Sequence, residues 1–585
     1  MTNLEAQPRQ HEGNHVAAAS RPFELEKYVQ PALYVAGWVG LVVAALACML
    51  PVLIVIVGGL SDGNIFTAFH FSIAPWQRAF ESEQTLYSMM YSVLLALRNP
   101  VGIAIAFVIA WYLARNDVFG KNVIMGGLWL AFFLPILPVT LGWIVLLDPN
   151  YGILNEVTLY FFGVKYFNIY SLFGISWVHL SLSTIPIMVI LIEPAQRFID
   201  SSYEEASTMS GAGVSTTLWR ITLPLLAPTL LTVFIAGVIR SLESFEVEEI
   251  LGLPAGVLVY STRVFNLLRM APPDEAQSMA LSTFFLLVLV FLVVCYRMFL
   301  DRSRTVATMT GKGGKFLPKP RTRTSYFISA ILFLFLAATV LLPFSMVVLS
   351  SFSNLFGFFD IPHPWTVRHW TDVLSSSEFL SALYQSSLIG VVVSVAGTIV
   401  YFSLAWFIAR NQFYGKSALS LAIWLPWALP GVLLGMACLT LFLNVPGLRG
   451  INGSAVGLII VLLIQGLPLA THMFEASTGQ ISRELEESSL MSGAGMIETV
   501  YRITAPIIAP MIASVFVISF MMAVKDISAT VLLAAPGAET LPLLMFGYAL
   551  SGRLEAASVV GVITVLIALV MAVFVIRMGE QNSIK

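Results

Sequence analysis

Charge is what this 585-residue chain has least of: Asp, Glu, Lys and Arg together make up 11% of it, against 58% hydrophobic residues. Soluble domains carry about 25% charged residues. A surface with so few charges cannot stay in water, which excludes a soluble enzyme, a disordered chain and a nucleic-acid binder. The formal net charge of −2 gives no global field to steer ligands. Cysteine is nearly absent too. Cys48, Cys295 and Cys438 all lie in apolar stretches, so they build no disulfide framework, are too scattered for a metal site, and read as small core residues. A phosphate cradle of the form G-x-x-x-x-G-K-[ST] is missing; GKGGK at 311–315 has the wrong spacing and no Ser or Thr after it.

Ionisable groups are also scarce inside the apolar runs. Glu193, Glu475, Arg240 and Lys525 sit at their ends, and Arg98 alone lies deep within one. Carriers coupled to protons or sodium place such groups near the bilayer midplane. A stand-alone secondary carrier or channel would need mid-span carboxylates or a filter motif, and a membrane enzyme a clustered reactive constellation. Neither is found, so the energy for any active transport must come from another chain.

What is present is a set of twelve apolar runs of the length a transmembrane helix needs, about 20 residues. They lie near 33–59, 88–113, 124–147, 171–193, 223–240, 279–300, 326–350, 383–408, 418–443, 455–476, 506–524 and 557–577. The runs are too long and too uniformly apolar for barrel strands. Residues 1–32 lack a signal-peptide pattern and read as a cytoplasmic tail. With that tail inside, twenty of the 31 Lys and Arg residues fall in inner segments and eight in outer loops, which predicts both termini inside. Seven of the twenty are in 301–325, a Gly-, Pro- and Lys/Arg-rich linker. It reads as a topology anchor between two halves, with binding of a regulator or anionic lipid as the other reading.

The halves repeat. AWYLARNDVFGK at 110–121 matches AWFIARNQFYGK at 405–416, an offset of 295, and EEASTMSGAG at 204–213 matches EESSLMSGAG at 486–495, an offset of 282. A longer outer loop at 148–170 absorbs the difference. The prediction is an all-α polytopic membrane protein: tail 1–32, six-helix repeat 33–300, linker 301–325, six-helix repeat 326–577 and inner tail 578–585. Six spans per repeat make the repeats parallel, related by a pseudo-two-fold axis along the membrane normal. A substrate route belongs at the repeat interface.

The inner loops 194–222 and 477–505 carry the matching decapeptides. Ser201 and Glu204 fit an S-x-x-E capping box that starts a short helix. Gly211 and Gly213 end it with a sharp turn. A second short helix with Trp219, Arg220 and Ile221 follows, and Pro224 falls in the first turn of the next span. A rigid elbow of this kind can transmit a push; the competing reading is a surface helix lying on the headgroups.

These loops resemble the E-A-A-x-x-x-G, nine residues, I-x-L-P loop of binding-protein-dependent ABC importer permeases. The first copy supplies Glu205, Ala206, Ser207, Gly211, Ile221, Leu223 and Pro224; the second supplies Glu487, Ser488, Ser489, Gly493, Ile503, Ala505 and Pro506. Departures from the pattern are Ser207, the Ser488–Ser489 pair and Ala505. The likeness spans roughly 85–300 and 380–577. It implies the type I ABC importer transmembrane fold in a bacterial inner membrane. It also implies two cytoplasmic ATPase subunits that carry the ATP and Mg, an extracytoplasmic binding protein, and alternating access. This chain itself would bind no cofactor. The resemblance makes Glu204, Glu205, Glu486 and Glu487, with Gly213 and Gly495 beside the motif glycines, the elements that meet the ATPase.

Fused twelve-span permeases of this kind are similar to importers of ferric iron, thiamine and 2-aminoethylphosphonate. Polyamine and sulfate importers share the loop on separate chains. The stretches 241–265 and 526–546 resemble ferric-iron permeases most, which makes ferric iron the expected substrate. The residues themselves leave the question open. Glu243, Glu246, Glu248 and Glu249 after the fifth run suit a hard cation, or they form a solvated face or a docking patch, the reading favoured here. Arg98, just before Asn99 and Pro100, either faces the axis and favours an anion, or pairs with a neighbouring helix or snorkels. Lys525 and Asp526, aligned with Glu243 and Ser244, either line the outer mouth or simply end a helix. His179 and His472 form no ligand spacing.

Overall fold

The computed structural model describes residues 24–583 except 64, 67, 68, 304–321, 412 and 413. Most of the basic linker, and the tail up to residue 23, therefore lie outside the described residues. The first half contains α1 (Glu24–Gly59), α2 (Glu83–Arg115), α3 (Lys121–Phe133), α4 (Ile136–Leu147), α5 (Leu172–Arg197), α6 (Ser201–Met209), α7 (Val214–Glu243), α8 (Glu248–Ala255), α9 (Tyr260–Arg269) and α10 (Glu275–Ser303). The second half contains α11 (Arg323–Ser351), α12 (Ser377–Arg410), α13 (Lys416–Trp427), α14 (Gly431–Asn444), α15 (Ala455–Gly479), α16 (Arg483–Met491), α17 (Met496–Ile507), α18 (Ala509–Lys525), α19 (Leu541–Leu550) and α20 (Leu554–Ser583). Among the described residues, nine helices are each long and apolar enough to span a membrane, and four bent pairs pass together. Nine helices and three of the pairs coincide with the twelve expected runs. The fourth pair, α8 and α9, bent by 83°, was not expected.

Proline and glycine explain where the helices break. Leu134 before Pro135 is extended, as a residue preceding proline prefers, and α3 meets α4 at 101°. Leu429 before Pro430 is likewise extended, and α13 meets α14 at 105°. Gly120 and Gly415, at φ +67° and +90°, make the matching turns before α3 and α13. Five of the prolines within helices follow wide π turns. Such turns at 180–184, 218–222, 248–252, 337–341 and 500–504 each end two residues before a proline: Pro186, Pro224, Pro254, Pro343 and Pro506. Proline removes an i→i−4 bond and crowds that carbonyl, and the wide turn accommodates both.

The first helix of each half crosses to the other half. Trp38 of α1 meets Phe407 of α12 edge-on at 5.8 Å, and a side chain at Gly37 would strike the same ring. In return, Ser325 at the start of α11 donates to the Asp117 carbonyl at 2.8 Å. Gly142 of α4 touches the Pro343 backbone of α11. Glycine lets the two helices approach this closely. The exchange ties each broken third span to the opposite half.

The segment after α7 corrects an expectation. Residues 243–249 do not form a solvated acidic face: Glu248 and Glu249 open α8 and are buried. Neither α8 nor α9 is long enough to span by itself and the two meet at 83°, yet they fold back between α2, α5 and α10.

Candidate functional site

The first elbow joins α5 to α7. Asp200, rather than Ser201, caps α6, its carboxylate accepting the Ser202 N–H at 2.9 Å. Ser201 is thus the first helical residue rather than the cap, which displaces the expected Ser201–Glu204 capping box. Glu204 is drawn instead to α2, where its carboxylate lies 3.0 Å from the buried Arg115 guanidinium. Arg115 also donates to the Ile199 carbonyl at 3.2 Å. The chain leaves α6 at Gly211 with φ +80°, and Gly213, with φ −72° and ψ 163°, leads into α7. Ser207 and Thr217 share a hydroxyl–hydroxyl hydrogen bond of 2.8 Å across the turn.

The second elbow repeats this construction contact by contact. Ser482 caps α16 by accepting the Glu484 N–H. Arg410 lies 2.7 Å from Glu486 and donates to the Ile481 carbonyl at 3.3 Å. Gly493 has φ +87°, Gly495 is extended, and Ser489 bonds Thr499 at 2.9 Å. Arg115 and Arg410 were not singled out from the sequence. Their signal was there, in the repeated AWYLARN and AWFIARN stretches. Of the serines that depart from the motif, Ser207 and Ser489 brace the turn.

Bracing below leaves an apolar surface above. Met209 and Met491 are 90% and 89% exposed, Trp219 and Tyr501 67% and 76%. Glu205, Ala206, Glu487 and Ser488 lie exposed beside them, as do Pro224 and Pro506, while Ile221 and Ile503 are half-buried at the root. The elbows differ in one respect. α7 runs unbroken from Val214 to Glu243, whereas α17 and α18 meet at 81° around Ile508.

A small cavity of about 20 Å³ lies between the halves. The first half contributes Glu246 and the proline-flanked break between α3 and α4; the second contributes Lys525, Ile527 and Met545. Glu246 and Asp526 are close enough for their charges to act on one another across the interface. Asp526 accepts from Gln465 at 3.2 Å and from the Ala529 N–H at 3.0 Å. Glu243 lies against Arg240 at 3.4 Å rather than in the cavity wall. Arg98 is not on this passage. It is buried, 3.9 Å from Glu248, with His179 2.9 Å from the same carboxylate and Ser244 donating to it at 2.5 Å. Pairing with a neighbouring element is thus the outcome for Arg98. Among the described residues no three His, Cys, Asp or Glu side chains converge as a metal site.

A family model described as "Binding-protein-dependent transport system inner membrane component" matches residues 102–306 and again 401–580. The chain belongs to this family. Its two matches fall one on each half, each containing one elbow, and the chain is an ABC importer permease of the fused, two-repeat type. It is similar to "Ferric transport system permease protein FbpB" of Actinobacillus pleuropneumoniae, 24% identical over 502 residues, 82% of this chain and 69% of the relative. It is also similar to "Inner membrane ABC transporter permease protein YcjP" of Escherichia coli, 27% identical over 271 residues, 44% of this chain and 94% of that one. A solved bacterial ABC transporter involved in import of the acidic polysaccharide alginate aligns with 44% of this chain and 96% of its own, at 20% identity and a TM-score of 0.37.

Proposed function

We propose that this permease imports ferric iron, driven by ATPase subunits that seat on its two elbows. The observation that carries the energy-coupling part is the duplicated brace: Arg115–Glu204 and Arg410–Glu486 lock each short helix to the end of a long one. A push on α6 or α16 then moves α2 or α12 instead of bending a loop. The exposed Met209, Trp219, Met491 and Tyr501 supply apolar anchors, and Glu205 and Glu487 a charged rim, for a protein partner. ATP and Mg belong to that partner, and this chain is not itself the catalyst. The termini and elbows face the cytoplasm of a bacterial inner membrane, in keeping with the basic residues on that side. A binding protein presents substrate on the opposite face.

Ferric iron is supported by the 24% identity to a ferric transport permease across 82% of the chain. Glu246 lines the cavity, and Asp526 follows Lys525 at its edge; the two carboxylates, from opposite halves, are the kind of oxygen ligand that a hard cation takes. The chain would be reconstituted in liposomes with its ATPase and binding protein. Iron-loaded binding protein is expected to stimulate ATP hydrolysis, while protein presenting 2-aminoethylphosphonate or thiamine does not. Stimulation by the phosphonate alone would transfer the assignment to an anion, for which the Lys525 ammonium in the cavity wall is the complementary group.

A further inference from the structure

Lys525 ends α18 at the interface of the halves, half-buried and lining the shared cavity. No carboxylate lies within 4.0 Å of its ammonium among the described residues, although Glu246 lines the same cavity. Its nitrogen instead donates to the Phe132 carbonyl of the other half at 3.2 Å and stands 5.2 Å from the centre of the Phe132 ring. That carbonyl is an open one. α3 stops at Phe133 because Pro135 breaks it, so the helical i→i+4 bond to the Phe132 carbonyl is lost, Ile136 already belonging to α4. The end of a helix also carries partial negative charge, which favours a cation there. Lys525 thus caps a broken helix that belongs to the opposite half.

The remainder of α18 suits motion. Its far end is the 81° bend at Ile508, next to the second elbow. Seventeen residues make a rod of about 25 Å, so a tilt of about 10° moves its tip by about 4 Å, enough to part the ammonium from the carbonyl. The first half has no counterpart. Glu243 stands at the aligned place and cannot donate to a carbonyl, and α7 is unbroken.

We propose that the Lys525–Phe132 contact is the latch that holds the passage between the halves closed, and that α18 releases it when the second elbow is driven. This rests on the ATP-driven reading above. The test uses the full complex with its ATPase and binding protein in liposomes. Lys525→Met is expected to raise ATP hydrolysis without loaded binding protein at least threefold and to lower substrate moved per ATP. Lys525→Arg, which keeps a cationic donor, restores both. A lesion of stability alone would lower total activity without changing their ratio. A second measurement covers a variant that fails to assemble. Cysteines in place of Phe133 and Met521, which share one buried apolar cluster beside the latch and leave Lys525 and Phe132 intact, bridged by a short bis-maleimide, should cross-link readily at rest, much less with ATP and vanadate bound, and should block uptake. The latch is overturned if Lys525→Met keeps the wild-type basal rate and coupling ratio, or if cross-linking is equal in both states. A wild-type complex that substrate never stimulates would instead sink the ATP-driven reading.

Discussion

Arg115 stands at the end of one long helix and holds Glu204, the fourth residue of the α6 elbow helix, at 3.0 Å. Arg410 holds Glu486 in the same way at 2.7 Å. Both arginines are largely shielded from solvent, and each also binds a carbonyl just ahead of the elbow helix. Breaking such a pair strands a charge, which costs about 3–5 kcal/mol where burial is complete. Arg410→Gln and Glu486→Gln are each expected to cut uptake more than tenfold. The double variant should be no worse than the poorer single one, since both remove one contact. Additive losses would show that the two residues act separately.

The turn glycines make a test of backbone geometry without steric confusion. A side chain at Gly211 or Gly213 would meet nothing within 4 Å, yet only Gly211 has positive φ. A left-handed residue other than glycine costs about 1–2 kcal/mol. Gly211→Ala should therefore weaken ATPase association, measured by co-purification, clearly more than Gly213→Ala. Equal effects would remove the turn from the account.

Ser207 and Ser489 replace alanine of the family motif, and each bonds a threonine across the elbow. A neutral hydrogen bond of this kind contributes about 1 kcal/mol. Ser207→Ala with Ser489→Ala should leave uptake within about twofold of wild type and lower the melting temperature of the purified permease slightly. A tenfold loss of uptake would mean that these hydroxyls do more than brace the turn.

Two glutamates two positions apart should behave oppositely. Glu248 is fully buried against His179, Ser244 and Arg98, whereas Glu246 lines the cavity between the halves. Glu248→Gln should lower thermal stability and yield. Glu246→Gln should leave both near wild type while slowing iron uptake several-fold. Thermal melting and uptake on the same preparations separate them.

Much of this was legible beforehand, for physical reasons. Twelve spans stand out because a bilayer demands long apolar runs, and the elbows because the decapeptide at 204–213 recurs at 486–495. The π turns, the crossing of α1 and α11, and the Arg98–Glu248 cluster were not legible. A π turn is a compromise with a proline that periodicity does not record. Helix exchange depends on contacts such as Trp38 with Phe407, far apart in the chain. Glu248 looked like a loop residue because its partners, Arg98 and His179, come from α2 and α5. Ser201 looked like a cap because the S-x-x-E spacing is right, but Arg115 claims Glu204 first.

On the proposed function, a separate ATPase drives this chain through the two elbows. Co-purification of the cognate ATPase with tagged permease, wild type against Trp219→Asp with Tyr501→Asp, tests it most directly. Both side chains are exposed on the elbow surface, so folding should survive the change. Wild type is expected to retain two ATPase subunits, whereas the variant, equally stable, retains none and transports nothing. Undiminished ATPase capture and uptake by the variant would contradict it.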